Sequence, residues 1–555
     1  MGDEVRNEPE VDSKIPRTGV SAAHVPAAHV PAPADSGVTA ANVAGFSGFL
    51  GITHRDQRNA GTGRYANTQF NLEPPDQGLC VGNGFVLETV NTALAVHDAA
   101  TGARLAGPTA ISQFLGLAPE VIRSTPPVFG DFVSDPKCHY DAATRRWFFT
   151  VLQIDVDPVT GDFGQHSSVL IAVSQTADPT QTWSIFRLDA TNDGTNGTPK
   201  HAGCPCFGDQ PLIGADANGF FVSTNEFSLF PFGAVFNGAQ VYALSKAALV
   251  AGALPSAVQF GGAAADGTFL PLAEGIAYSL QPATVPPGGT FETAAGGTEY
   301  FTSALDFDAT LDDRVAVWAL SGTSTLGSAT PHVTLTSAVL PSEVYGQPPD
   351  AAQPDGTRPL AAALRALGFP AAAVKLELIA GNDDRMNAAV FAAGKLWSAV
   401  NTVVKTPNGP TRVGIAWFAI TPAVTNTGRV SGTVARQGYV AVNQQSVLYP
   451  SFAMRSDGTG AMSFSLVGTD FFPSGAYALV GAGGVGTVHV AAPGAFPEDG
   501  FTGYPAFGGE RTARWGDYSA AATDESGHLW LASEFIPNAP RVANANWGTF
   551  VTRLP

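Results

Sequence analysis

From about residue 42 onward the chain alternates short apolar runs with clusters of Gly, Asp, Asn and Pro, a pattern that predicts many short β-strands joined by tight turns. Aromatic residues such as Phe148-Phe149, Phe220-Phe221 and Trp530 alternate within these runs, as expected of side chains that pack between sheets. One stretch has helical spacing instead: in LAAALRALGFPAAAVKLEL (360–378) the Leu and Ala period continues until Gly368 and Pro370 stop it. Residues 1–40 have neither period. Pro, Ala, Val and charge mix there, and AAHVPAAHVPAPA (22–34) is low in complexity, so a flexible Pro/Ala-rich arm is expected, with His24 and His29 belonging to a linker rather than a metal site.

The strands recur as a strongly diverged repeat. A polar or acidic opening with Pro or Gly leads into a short run. A turn rich in Asp, Gly, Asn or Ala follows, then an aromatic or aliphatic strand ending in Ser, Thr or Asn, and later a third strand of the type V-A-x-S or V-Y-A-L. SDPKCHYDAATRRWFFTVLQ with VLIAVS, and GDQPLIGADANGFFVSTNEF with QVYALS, show the form; seven copies begin near residues 74, 134, 208, 279, 382, 448 and 514. The openings at Asp76, Asp135, Asp209, Pro282, Asp384, Pro450 and Asp517 lie 59, 74, 73, 102, 66 and 67 residues apart. Those steps exceed the roughly 40–50 residues of common propeller repeats, so each unit carries long loops. The helical stretch falls in the longest step, as an insertion between copies four and five.

A four-stranded unit cannot bury both faces alone, whereas radial stacking covers them and leaves only short edges. The expectation is an all-β fold, a seven-bladed β-propeller over residues 41–555 with a disordered N-terminal arm and one short helical insertion. Six copies have a candidate fourth strand, such as TWSIFRLD (182–189) or GTVHVAA (486–492). The seventh stops at its third, WGTFVTRL, so an N-terminal strand within VAGFSGFLGI (43–52) is expected to close the last blade.

Composition narrows the partners. The 555 residues include 29 basic and 47 acidic side chains, a formal charge of −18, whose field repels phosphate backbones and anionic lipid surfaces. Nucleic acid is therefore not an expected partner. No window approaches 18 consecutive apolar residues, so membrane insertion is not expected either. The start, Met1-Gly2-Asp3-Glu4, has neither a basic nor an apolar signal region, and a secretory signal is read as absent or removed. Only 7 of the basic residues are Lys, and the cysteines are few but even in number, Cys80, Cys138, Cys204 and Cys206. Two disulfides and a secreted or extracytoplasmic location are expected, with Cys80–Cys138 the preferred pair because each follows its opening by three or four residues on neighbouring inner strands. Cys204 would then pair with Cys206 or stay reduced. A zinc or copper site built from His201, Cys204 and Cys206 with Cys138 and His139 is the competing reading. A monomer is expected.

The phrases SDPKCHYDAATRRWFFTVL, GDQPLIGADANGFFVSTNEF and RWGDYSAAATDESGHLWLASEF resemble those of secreted bacterial seven-bladed β-propeller proteins of mostly unassigned function, within the broad propeller world that includes sialidase-like repeats. The resemblance covers about residues 70–555 and implies the fold; it implies little about a reaction, since propellers host hydrolases, lyases, lectins and scaffolds. The segment Thr176-Ala177-Asp178-Pro179-Thr180-Gln181-Thr182-Trp183 matches the Asp-box pattern S/T-x-D-x-G-x-T-W except for Thr180. A working sialidase of that superfamily has three arginines on a carboxylate, a Tyr-Glu pair and an F/Y-R-I-P motif; the motif is missing here, and only Arg385 and Arg514 sit inside repeat openings.

Openings lead into innermost strands, whose ends meet around a central channel. Polar groups distant in sequence should therefore converge there, solvated: Asp76, Asp135, Lys137, Asp209, Asp384, Arg385, Tyr449, Arg514 and Asp517. Such a ring could bind a glycan or protein ligand through charge-assisted hydrogen bonds, hold a hard cation such as Ca²⁺, or supply paired carboxylates for glycoside hydrolysis. The competing role for each Asp beside Pro or Gly is to fix a turn by accepting backbone amides. His166 or His139 as base with Tyr449 as acid would suit polysaccharide β-elimination. No H-E-x-x-H, G-x-S-x-G or phosphate-binding Gly loop occurs. Two functions remain: an exported binding or scaffold propeller that uses its channel face, or a glycoside hydrolase or polysaccharide lyase that uses the same ring.

Overall fold

A computed structural model describes residues 5–6, 29–272, 275–305, 311–407 and 409–555. Seven antiparallel sheets follow one another along the chain, each starting from its innermost strand. The inner strands are Gly78–Gly82, Phe132–Asp141, Cys206–Ala215, Gln281–Pro282, Met386–Ala392, Gln445–Met454 and Ala520–Thr523, for blades one to seven. The fold is the seven-bladed β-propeller that the repeat predicts.

Local chemistry sets the hairpins. Between the first two strands of blade two, Asp141 Oδ1 accepts the amides of Ala143 and Thr144 at 2.9 and 3.0 Å; Asp216, Asp457 and Asp524 do the same in blades three, six and seven. The Asp-box segment forms the turn between the third and fourth strands of blade two, where Asp178 Oδ1 accepts from Thr180 N at 2.9 Å and the Trp183 indole donates to Pro179 O.

The aromatic residues pack between blades, as their alternation predicts. Phe148 stacks on Phe220 with ring centroids 4.8 Å apart, Phe221 meets Phe301, Tyr300 meets Phe391, and Trp397 meets Phe452, joining blades two to six in order. Trp530 and Val551 of blade seven pack against Leu79 and Val86 of blade one. The Cys80–Cys138 disulfide crosses between the inner strands of blades one and two, and Cys204 pairs with Cys206.

The last blade is completed from the other end of the chain. Ser47–Thr53 lies antiparallel to Gly548–Leu554, with Ser47 opposite Arg553. The arm expected over residues 1–40 is fastened along its final stretch. Val38–Thr39 adds a fifth, parallel strand to blade six, and Pro31 O accepts from Lys405 N of blade five. Arg6 reaches the rings of Phe70, Phe132 and Phe163, and His24 lies outside the described residues.

The insertion between blades four and five forms the helix Pro359–Ala366 and the 3₁₀ turn Ala371–Val374, on either side of Gly368 and Pro370. Its apolar side packs on Phe501 and Tyr504 from the connection between blades six and seven. The two segments also pair as short parallel strands, Leu378–Ile379 with Thr512–Ala513, just before the openings of blades five and seven.

Candidate functional site

The chain turns sharply at every blade opening. Asp76, Asp135, Gln210, Ser279, Asn382, Tyr449 and Gly516 all have positive φ, between 44° and 58°, one per blade. Six of these seven are not glycine, in a region where L side chains are uncommon, and such residues collect at functional sites. In blades two, three and six the positive-φ residue is followed by Pro and the pair forms a bulge. Asp135-Pro136, Gln210-Pro211 and Tyr449-Pro450 fall at the ladder irregularities Thr150/Leu152, Asp209/Leu212 and Leu448/Ser451. A bulge re-aims the side chains beside it.

Asparagines within or just after second strands hold these turns. Asn91 Oδ1 accepts from Asp135 N at 2.8 Å, Asn225 Oδ1 from Ser279 N at 2.9 Å and Asn401 Oδ1 from Tyr449 N at 2.7 Å, each bond reaching into the next blade. The repeat's terminal Asn is thus a latch between blades.

Carboxylates converge inside this frame. Asp76, Asp135 and Asp517 bring one oxygen each within 4.8 Å of one another. Asp76 accepts from Asp517 N at 2.6 Å and from Asn91 Nδ2 at 2.7 Å, Asp135 accepts from Gln210 N at 3.3 Å, and Asp517 accepts from Asn382 Nδ2 at 3.0 Å. Arg514 Nη2 lies 3.8 Å from Asp517, and the Lys137 ammonium sits over the Tyr518 ring. Arg385 is clamped by both oxygens of Asp383 at 2.7 and 2.8 Å, donates to Gln210 Oε1 at 3.0 Å and lies over Tyr278.

Burial dominates the electrostatics. The Asp76 carboxyl is pushed up to about 6 by burial and then by Asp517, and Asp209 to about 7 by the same two causes. Asp135 is held well above the usual carboxylate range by burial, then by Asp209 and Asp76. Burial pulls the Lys137 ammonium down to about 7 against the attraction of Asp135 and Asp76.

Asp76, Asp135, Lys137, Asp209, Arg514 and Asp517 thus lie close together, but they are not bathed in solvent. Asp76, Asp135, Asp384 and Tyr449 are buried, while Asp209, Lys137, Arg514 and Asp517 are half-buried and form its accessible edge. Tyr449 donates its hydroxyl to Ala380 O at 2.8 Å. His139 lies toward the far end of its strand, near Asp141 and Lys246, and His166 is exposed on the third strand of blade two, so neither joins Tyr449. Cys138, bonded to Cys80, is not part of the group formed by His201, Cys204 and Glu226.

Sequence reasoning missed Asp383, Gln210 and Tyr278, although Asp383 and Gln210 adjoin the openings Asp384 and Asp209 and Tyr278 lies four residues before Pro282. It also missed a second acidic group in the connections. Glu73 accepts from Thr502 N and Oγ1, and the Thr502 hydroxyl accepts from Arg514 N at 3.1 Å, which links this group to the ring. Glu377 is pushed up to about 11 by burial and Glu498, and Glu498 to about 7 by burial and Asp499. Glu534, also buried, is raised by burial and then by Asp76, Glu73 and Glu498, and so lies between the two groups.

Three oxygens converging from Asp76, Asp135 and Asp517 match the donor chemistry of a hard divalent cation such as Ca²⁺. Hydroxyl-rich ligands would meet the mixed acceptors and donors of the half-buried edge.

No protein-family model matches the chain, and no curated protein matches its sequence. Solved structures with a similar course of chain include a protein of unknown function from Dyadobacter fermentans, 10% identical with a TM-score of 0.35, the match covering 76% of this chain and 95% of that one. An exo-β-1,3-galactanase from Clostridium thermocellum is 8% identical with a TM-score of 0.28, over 85% of this chain and 92% of that one. A sialidase from Trypanosoma rangeli is 8% identical with a TM-score of 0.30, over 76% of this chain and 54% of that one.

Proposed function

We propose that the protein is an exported propeller that binds a glycan over the channel ring. The observation that carries this reading is the edge itself. Asp209, Lys137, Arg514 and Asp517 come from blades two, three and seven and its opening, carry unlike charges, remain half-buried, and are backed by the buried Asp76 and Asp135. Carboxylates accept and cations donate, so vicinal sugar hydroxyls find both partners. The two disulfides suit an oxidising compartment, and among the described residues no helix is long and apolar enough to cross a membrane. Titration calorimetry against a glycan panel tests the reading: Asp517→Asn or Arg514→Met should weaken a bound glycan about tenfold or more, by loss of a charge-assisted hydrogen bond. A panel without a binder, beside a protein ligand whose affinity falls with the same changes, would move the reading to a protein scaffold.

A specific observation favours a second reading, glycoside hydrolysis. Asp135, raised by its surroundings, can keep a proton to donate to a glycosidic oxygen, while the Asp517 carboxylate beside Arg514 serves as nucleophile or base. Reducing-end release across a polysaccharide panel, abolished by Asp135→Asn, would establish it; unsaturated-product absorbance would indicate a lyase instead.

A further inference from the structure

The two disulfides do different work. Cys80–Cys138 has a sequence separation of 58 and joins two blades, whereas Cys204–Cys206 has a separation of 2. A bridge that closes so small a loop removes little freedom from the unfolded chain. Its main effect is to hold two thiols in covalent form beside a set of metal-ligating groups.

Those groups are well ordered. His201 Nδ1 lies 2.8 Å from Glu226 Oε1, and Cys204 Sγ lies 3.6 Å from the same oxygen. One ligand atom each from His201, Cys204 and Glu226 falls within 4.8 Å of the others. Asn237 Nδ2 donates to Glu226 Oε1 at 2.8 Å and sits 3.7 and 3.8 Å from the two sulfurs, while Asn192 Nδ2 donates to the other Glu226 oxygen. The carboxylate is thereby fixed in orientation, as metal-binding carboxylates are. Glu226 and Cys206 are fully buried, His201 is nearly so, and Cys204 is half-buried, which leaves one sulfur open to attack from solvent.

We propose that Cys204–Cys206 is a reducible bridge masking a zinc site, and that its opening creates a four-ligand set of two thiolates, the His201 imidazole and the Glu226 carboxylate. An external dithiol supplies the two electrons and two protons: its own sulfurs join as a disulfide, the Cys204–Cys206 bond breaks, and each cysteine leaves as a thiol. Zinc then displaces the two thiol protons and takes two sulfurs, one nitrogen and one oxygen, a tetrahedral set suited to that ion. Two thiolates and a carboxylate so close together are stable only with a cation to offset their charge, so loss of the thiol protons and uptake of zinc are coupled.

The test uses the full chain, oxidised or reduced with a phosphine, which takes oxygen from water to become its oxide as the bridge gains two hydrogens. Alkylation followed by peptide mass spectrometry reports which cysteines are thiols, and circular dichroism reports the fold. After removal of free metal, the reduced protein should retain about one Zn²⁺ per chain and the oxidised protein none. Co²⁺ in its place should show a thiolate-to-metal charge-transfer band. His201→Gln should weaken binding tenfold or more, and a Cys204→Ser/Cys206→Ser double variant should abolish the band. The proposal is overturned if Cys204 and Cys206 are thiols in a folded chain that takes up no metal, or if the oxidised protein or the double variant takes up as much. Unfolding on reduction in the presence of Zn²⁺ overturns it equally when the Cys80→Ser/Cys138→Ser variant is folded before reduction.

Discussion

Asn91, Asn225 and Asn401 each satisfy a backbone amide of the following blade, at a turn whose φ is positive. Truncating Asn225 to Ala leaves the Ser279 N–H without that acceptor in a buried place, and urea unfolding should report a loss of about 1–3 kcal/mol. The acids around these turns make stability depend on pH. Asp76 and Asp209 are raised to about 6 and 7, so between pH 4 and 7 the folded chain binds more protons than the unfolded one. Their favourable contribution is complete below the usual carboxylate range and is lost as pH rises through those values. Lys137, lowered to about 7 from 10.5, acts oppositely, since above pH 7 the unfolded chain binds the extra proton and stability recovers toward alkaline pH. Tm should therefore fall from pH 5 to 7, and Asp76→Asn should flatten that limb; a wild-type Tm that rises over the same range, unchanged in the variant, would contradict this assignment. Asp76, Asp135, Asp209 and Asp517 were legible because each stands in a repeat opening beside Pro or Gly. Glu73, Glu377 and Glu498 were not, because they lie in connections to which no periodicity applies and meet only through the packing of the insertion.

Strands and hairpins follow from alternation and Asx turns, and the helix from its spacing, so the elements were almost fully legible. The exceptions are short: the strand Val38–Thr39 within the expected arm, the helices His54–Arg58, Ile111–Leu115 and Lys246–Val250, and the strand pair Leu378–Ile379 and Thr512–Ala513, whose two residues per strand carry no readable period. That pair joins segments that precede different blades, and only the folded chain brings them together. The Cys80–Cys138 bridge ties elements 58 residues apart, a loop for which the chain-entropy relation gives about 4 kcal/mol. Replacing both cysteines with Ser should lower the urea midpoint strongly without changing the circular dichroism of the native state. The terminal strand has comparable weight. Removing residues 1–28 should lower Tm only by the loss of the Arg6 ring contacts, whereas removing 1–53 also deletes the strand opposite Gly548–Leu554 and exposes an apolar edge, so Tm should drop much further and association by sedimentation should increase.

At the scale of the whole molecule, seven blades present their openings to one centre, where acidic groups outnumber Lys137, Arg385 and Arg514. A chain with a net charge of −18 that buries Asp76, Asp135 and Glu534 near its axis gains if a cation takes up some of that charge. Chelator should lower Tm and Ca²⁺ should restore it in the native protein, with the response lost in Asp76→Asn and Asp135→Asn; calorimetry that finds no calcium-dependent difference would remove the cation from the centre.

Ser47 and Arg553 face each other across the seam of blade seven although nearly the whole chain lies between them. At roughly 5–20 residues per second, the partner of Ser47 leaves the ribosome about 25–100 s after Ser47 itself. For that time the first blade is made and its neighbours stack beside it, but the circle has no last segment, and both ends of the growing arc present unpaired surface. A chaperone that shields Ser47–Thr53 during synthesis would prevent premature pairing with the edge of another chain. The same delay keeps the circle open until Gly548–Leu554 has been made.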